Sequence, residues 1–329
     1  MRDFFSDPEL AGVVAGVIGL LAVSSLIAAV LRRRVTEEPG RSVVTNLTRR
    51  INAWWAMVAV LALTLATGGI GSVLLFGATS FFAFREFATL SPTRTTDHST
   101  LVWAFFVVIP LQYLFVALQW YGMVAIFIPV YAFLFAPVRS AMAGDTRDFL
   151  ARTATIHFGL MVTVYCVSYA PALLMLEIPG YESENVKLLV FLIVVVQLSD
   201  VLQYVVGKLF GKRPMAPRVS PNKTWEGFAG GVFGATALGT ALWWLTPYAP
   251  WQAALVSLLL ALAGVAGGLV MSAVKRDRAV KDFGEAIPGH GGVLDRIDSV
   301  CFAAPLFFHV TRYFFVADGA TLPPLDALL

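Results

Sequence analysis

Charge is scarce in this sequence: 14% of its 329 residues are Asp, Glu, Lys or Arg, while 58% are hydrophobic. A soluble domain is about one quarter charged and about half apolar, so the deficit excludes an ordinary water-soluble domain and points to an integral membrane protein. Cysteine is scarcer still. Cys166 and Cys301 are the two, both in apolar runs and neither in a CxxC pair. That excludes a disulfide framework or a thiolate metal site and leaves both as small buried hydrophobes. Long polar stretches are also missing. The segments between apolar runs reach only about 20 to 24 residues, too short to bury a core of their own.

What is present is a series of long apolar runs. A span needs about 20 apolar residues to cross roughly 30 Å of hydrocarbon. Ten candidates lie near 9–31, 53–69, 71–88, 101–118, 120–137, 153–175, 187–206, 227–246, 251–273 and 299–316. Only Gly68-Gly69 divides the second from the third, so one broken element, and hence nine spans, is the alternative. The first run is too long for a signal-peptide core, and Arg32-Arg33-Arg34 follows it instead of preceding it; it reads as a retained span. The expected fold is an all-α polytopic helical bundle. Residues 1–185 form an N-terminal transmembrane region of about six spans, and residues 186–329 a C-terminal transmembrane region with the loops 207–226 and 275–298.

Charge placement supports this count. With ten spans, loops 32–52, 85–99, 138–152, 207–226 and 275–298 share one side and hold 21 of the 24 Lys and Arg residues; only Arg2, Lys187 and Arg312 fall outside them. The positive-inside rule then puts both termini outside and the five loops in the cytoplasm. Trp120, Tyr121, Trp243, Trp244, Tyr248 and Trp251 fall toward the opposite face, where an aromatic belt is expected. "SPTRT" at 91–95 and "SPNKT" at 220–224 look alike, but five residues do not establish a duplication.

Two loops hold more charge than topology requires. In 275–298, Asp277, Asp282, Glu285, Asp295 and Asp298 mix with Lys275, Arg276, Arg278, Lys281 and Arg296. Carboxylates that bind Mg²⁺ beside cations that neutralise phosphate suit a site for metal-bound polyphosphate. Asp295 and Asp298, three apart where the tenth span begins, share a helix face. The Pro288-Gly289 turn would bring Asp282 back toward them, and Gly291 and Gly292 leave backbone N–H groups open to an anion. The plainer reading of Asp298 is a cap on the last helix. His290, between glycines, suits a general acid/base, a phosphate donor or a positioning role.

The loop 207–226 and the residues after it read "GKLFGKRPMAPRVSPNKTWEGFAGG". This is too irregular to be helical throughout and is not a Walker A loop. Ser220, Lys223 and Thr224 stand before the eighth span as a phosphate cradle, or else belong to an ordinary positive-inside loop. Asp200 lies thirteen residues into the seventh span with Gln197 and Gln203 nearby. An acid at membrane depth is a functional residue by default; a structural hydrogen-bonding role is the alternative.

Residues 272–298, "SAVKRDRAVKDFGEAIPGHGGVLDRID", resemble the signature of phosphatidate cytidylyltransferases, the CDP-diacylglycerol synthases. The likeness extends through Asp200, "GKLFGKR" and "SPNKTWEG" and covers roughly residues 190–310. The resemblance implies transfer of a cytidylyl group from CTP to phosphatidic acid within the cytoplasmic membrane, at a site facing the cytoplasm, with Mg²⁺ or Mn²⁺ and room for a second metal ion. It implies metal ligation by Asp282, Asp295, Asp298 and Asp200, with Lys281 and His290 among the catalytic residues. Phosphate and substrate contacts would fall to Ser220, Lys223, Thr224, Lys275, Arg276, Gly291, Gly292 and Arg296. Gln203 stands where the family often has a small residue, which leaves room for another lipid phosphate as acceptor. A transporter would spread its key charges over several spans; here they gather in two loops. No nucleic-acid partner is implied. A homodimer is compatible with such a bundle, and no motif specifies one.

Overall fold

A computed structural model describes residues 7–35, 37, 40–182, 184–289 and 291–316. Among them are ten long helices. They are α1 (Pro8–Arg34), α2 (Gly40–Ala66), α3 (Gly68–Leu90), α4 (Thr95–Ala117), α5 (Tyr121–Met142), α6 (Phe149–Met175), α7 (Asn185–Phe210), α8 (Trp225–Ala241), α9 (Pro250–Asp277) and α10 (Leu294–Phe315). They stand where the ten apolar runs stand, and the protein is an all-α, multi-pass membrane protein. By length and apolarity α1, α3, α4, α5, α6, α7 and α9 can cross a membrane. The rest depart for visible reasons. The first half of α2 carries Arg41, Arg49 and Arg50, α8 has only 17 residues, and α10 starts with Asp295, Arg296 and Asp298. Helices α2 and α3 are separate, parted at Thr67, and Gly68 takes the left-handed φ of +81°.

Several helices run past their apolar stretch into the charged loops. Most of 40–52, read as loop, is the first half of α2; α7 continues to Phe210, and α9 continues through Lys275 and Arg276 to Asp277. Hydropathy sees only the lipid-facing part of a helix, and the interfacial turns that continue it are polar. Between α7 and α8 the chain forms an antiparallel hairpin, β1 (Pro214–Ala216) with β2 (Ser220–Thr224), in which Pro214 pairs with Thr224 and Ala216 with Ser220. The hairpin takes "SPNKT", whereas "SPTRT" is a non-helical bend to Arg94 with Thr95 opening α4, so the two segments do not share a structure.

Helices α4, α5 and α6 each contain a π-helical turn, at Ala104–Val108, Phe127–Ala132 and Met161–Tyr165. Pro110 follows the first and Pro129 lies in the second; a proline has no N–H to donate, which loosens the local ladder.

The core runs through nearly all the helices, with Phe84 of α3 and Ile128 of α5 buried beside Tyr169, Phe191, Leu260 and Phe307 of α6, α7, α9 and α10. Small residues bring α7 and α8 close. A Cβ on Gly227 would lie 2.6 Å from the Gln203 carbonyl oxygen, and one on Gly231 would lie 2.9 Å from that of Ser199. Such contacts drive helix association where lipid removes the hydrophobic contrast. Gln203 is buried here at 5% exposure. At the end opposite the charged loops, Lys187 is 2% exposed and pairs with Asp7 (3.1 Å), Glu184 (3.1 Å) and Glu9. Arg312 stacks 3.8 Å over the Tyr121 ring. Both described cations outside the five charged loops therefore have local partners.

Candidate active site

The loop between α9 and α10 is organised around Asp295. Its Oδ1 accepts from Lys275 Nζ at 2.8 Å, and its Oδ2 accepts from the backbone N–H of Phe283 (2.8 Å) and Gly292 (2.9 Å). The bond to Gly292 reaches back past the N-cap of α10, Val293, and ties the loop to the helix start. Gly289 and Gly291 have φ of +77° and +85°, and the Ile287 N–H donates to the Gly291 carbonyl at 2.8 Å. This reversal brings Asp282 back, as its spacing predicts. A Cβ on Gly291 would lie 2.8 Å from Asp295 Oδ2 and 3.1 Å from Asp282 Cβ. His290 lies outside the described residues.

Asp298 turns elsewhere. Ser299 Oγ donates to Asp200 Oδ2 at 2.7 Å and stands 3.5 Å from Asp298 Oδ1, which also accepts the Ser299 N–H at 2.8 Å. Asp298, offered as a cap from the sequence, does not cap the start of α10 and instead joins Asp200 of the neighbouring helix α7. Cations face the two acids. A Cβ on Gly268 of α9 would lie 3.0 Å from Lys223 Nζ and 3.6 Å from Ser299 Oγ, so the lysine reaches from the hairpin to the acid pair. The Arg296 Nε is buried with no hydrogen-bond partner among the described residues, and the Arg296 carbonyl accepts from Gln197 Nε2 at 3.3 Å.

The predicted site residues therefore separate by role. Lys275, expected on phosphate, is committed to Asp295 and lies over the Phe283 ring at 5.3 Å. Arg276 ties the two loops together by donating to the carbonyls of Val219 (3.2 Å) and Val280 (3.0 Å). The Thr224 hydroxyl accepts from Gly227 N–H at 3.1 Å and caps α8. Ser220 opens β2, half-buried, while Lys281 and Asp282 are exposed. Gly292 is buried beneath Glu86. Behind the hairpin, Glu226 accepts from the backbone N–H of Lys212 (3.1 Å) and Arg213 (3.2 Å), which holds its carboxyl below the ordinary range. Among the described residues, no three His, Cys, Asp or Glu side chains stand together as a metal-binding group. The acids form two sets, Asp282 with Asp295 and Asp200 with Asp298.

Three residues were not singled out in the sequence. Glu86 of α3 accepts from the N–H groups of Val293 and Leu294, each at 2.9 Å, and so caps α10 from a distant helix. Arg50 of α2 donates to the Gly289 carbonyl at 3.1 Å. Ser299 bridges the acid pair. Glu86 and Arg50 lie more than 200 positions from their partners, and no local spacing reveals them. Ser299 directly follows Asp298, and that adjacency was the available signal.

Residues 48–314 match the model of the Cytidylyltransferase family. The chain is 36% identical to an Escherichia coli protein described as "Uncharacterized protein YnbB", over 91% of this chain and 97% of that one. It is 34% identical to a Bacillus subtilis phosphatidate cytidylyltransferase, over 65% of this chain and 77% of the other. A Mycobacterium leprae phosphatidate cytidylyltransferase is 42% identical, over 49% of this chain and 51% of its own length.

Proposed function

The chain belongs to the cytidylyltransferase family, and from that premise we propose that it transfers the cytidylyl group of CTP to phosphatidic acid, giving CDP-diacylglycerol and pyrophosphate. The observation that carries this reading is the convergence of Asp200, Ser299 and Asp298 with the positive charges of Lys223 and Arg296. Both reactants are anions. Cations beside carboxylates, at the membrane end of a polar loop, fit a meeting point for a lipid phosphate and a nucleotide triphosphate.

The acid pair fits a divalent cation. Mg²⁺ is commonly held by one or two carboxylates, with water and substrate phosphate completing its shell. Asp200 and Asp298 would hold it, with Mn²⁺ as a substitute. Asp295 has its two oxygens occupied by three donors and instead shapes the loop. Bound there, the ion would neutralise phosphate charge and align the leaving group.

In the reaction an oxygen of the lipid phosphate attacks the α-phosphorus of CTP. The new P–O bond forms as the bond from the α-phosphorus to the bridging oxygen breaks, and the electron pair leaves with pyrophosphate. Lys223 and Arg296 offset the charge that gathers on the transferred and leaving phosphates. The loops carrying these residues would face the cytoplasm, where CTP is found, and the acceptor would enter from the bilayer.

The test is transfer of label from α-³²P-CTP into extractable lipid by the purified protein. It is run with phosphatidic acid and separately with other lipid phosphates. Label that enters CDP-diacylglycerol only with phosphatidic acid supports the assignment. Label that enters lipid only with another acceptor contradicts it.

A further inference from the structure

Away from the acid pair, α1 and α2 enclose a second cleft of about 450 Å³, lined by Ser25, Ala28, Ala29, Arg32, Arg33, Thr48, Ile51 and Asn52. Its parts are graded along the helix axis. Ala28 (3% exposed) and Ile51 (7%) are the buried apolar residues of its floor. Thr48 and Asn52 stand on α2, one turn apart. Arg32 and Arg33, both exposed, stand on the last turn of α1 and make no ion pair among the described residues. Trp55 Nε1 donates to Ser25 Oγ at 3.1 Å and pins the two helices together.

Its setting narrows the occupant. From the cleft, α1 continues as an apolar face open to lipid, with Leu26 65%, Ile27 52% and Val30 43% exposed. Two guanidiniums above an apolar floor, beside a lipid-facing track, match a phosphate headgroup with its acyl chains. Arginine forks bind phosphate bidentately, and basic pockets between membrane helices take anionic headgroups. A soluble anion would need the arginines but would gain nothing from the floor or the track. We propose that the α1–α2 cleft is a binding site for an anionic glycerophospholipid, with its phosphate on Arg32 and Arg33. The site is separate from the acid pair, and it is tied to the α9–α10 loop because Arg50, on the turn of α2 that carries Thr48 and Ile51, bonds to Gly289 of that loop. The proposal rests on the membrane reading and not on the proposed reaction.

The experiment is native mass spectrometry of the detergent-purified protein with phosphatidylglycerol or phosphatidylcholine of matched chains. Phosphatidylglycerol should be retained in one-to-one complex at least about tenfold more than phosphatidylcholine. The double variant Arg32→Gln/Arg33→Gln should lose that preference, whereas Arg34→Gln, outside the cleft, keeps it. Ala29→Phe retains both arginines but fills the cleft, and retention should fall there as well. Equal loss in Arg34→Gln, or full retention in Ala29→Phe, would show attraction to a basic surface and overturn a built site. Displacement of the lipid by millimolar inorganic phosphate would show an anion site and overturn the lipid assignment. Because binding is read directly, these results stand whether or not CTP is consumed.

Discussion

Replacing Glu86 by alanine tests how the N-terminal half of the chain governs the site. Glu86 supplies both acceptors for the Val293 and Leu294 N–H groups, and α10 has no side-chain cap from its own N-cap residue, Val293. Losing a cap costs about 1 kcal/mol, and losing a favourable carboxylate at a helix N-terminus costs up to about another 1 kcal/mol. The sum of about 2 kcal/mol corresponds to a change of roughly thirtyfold in the population of the docked α10 start. Asp295 is in that first turn and Asp298 directly follows it. Pyrophosphate release should therefore show kcat reduced by up to about thirtyfold in Glu86→Ala, with KM for CTP changed much less. Glu86→Gln keeps one carbonyl acceptor and should recover part of the rate. A wild-type kcat in Glu86→Ala, in a protein that purifies and melts normally, would refute the positioning role.

Other perturbations act on separate contacts. In Gly267→Ala the new Cβ would lie 2.6 Å from the Asp298 carbonyl oxygen and 2.9 Å from the Phe302 ring; overpacking of this kind costs about 1–3 kcal/mol, visible as a lower melting temperature together with lost turnover. Lys275→Met leaves a nearly buried Asp295 without its cation, which should destabilise the protein by about 3 kcal/mol; an unchanged melting temperature would show that the backbone donors alone hold the carboxylate. Chelation by EDTA should abolish turnover and excess Mg²⁺ should restore it, while turnover that persists in EDTA would remove the divalent ion from the site.

The helices and the reach of the loop were legible because each depends on local pattern. Apolar runs of membrane length announced the ten helices, and Pro288-Gly289 announced the reversal that returns Asp282 to Asp295. Two things were not legible. One is the direction in which each acid points. Three-residue spacing puts Asp295 and Asp298 on one face, but Asp295 turns back to the loop that precedes its own helix while Asp298 turns toward α7. The other is the help given across long sequence distance. Glu86 and Arg50 sit in what hydropathy reads as topogenic loops, and only the packing of α2 and α3 against the α9–α10 loop reveals their partners. The hairpin was missed because strands of three and five residues are shorter than any period the sequence can display.

The most direct test is the rate of pyrophosphate release from CTP in Asp298→Asn and Asp200→Asn, beside a Glu285→Gln variant on the exposed part of the α9–α10 loop. Both aspartate variants should lose at least about a hundredfold in kcat, about 2.7 kcal/mol of transition-state stabilisation, without losing folding or membrane insertion, while Glu285→Gln should retain most of the rate. Near-normal turnover in either folded aspartate variant would contradict an active centre built on the acid pair around Ser299.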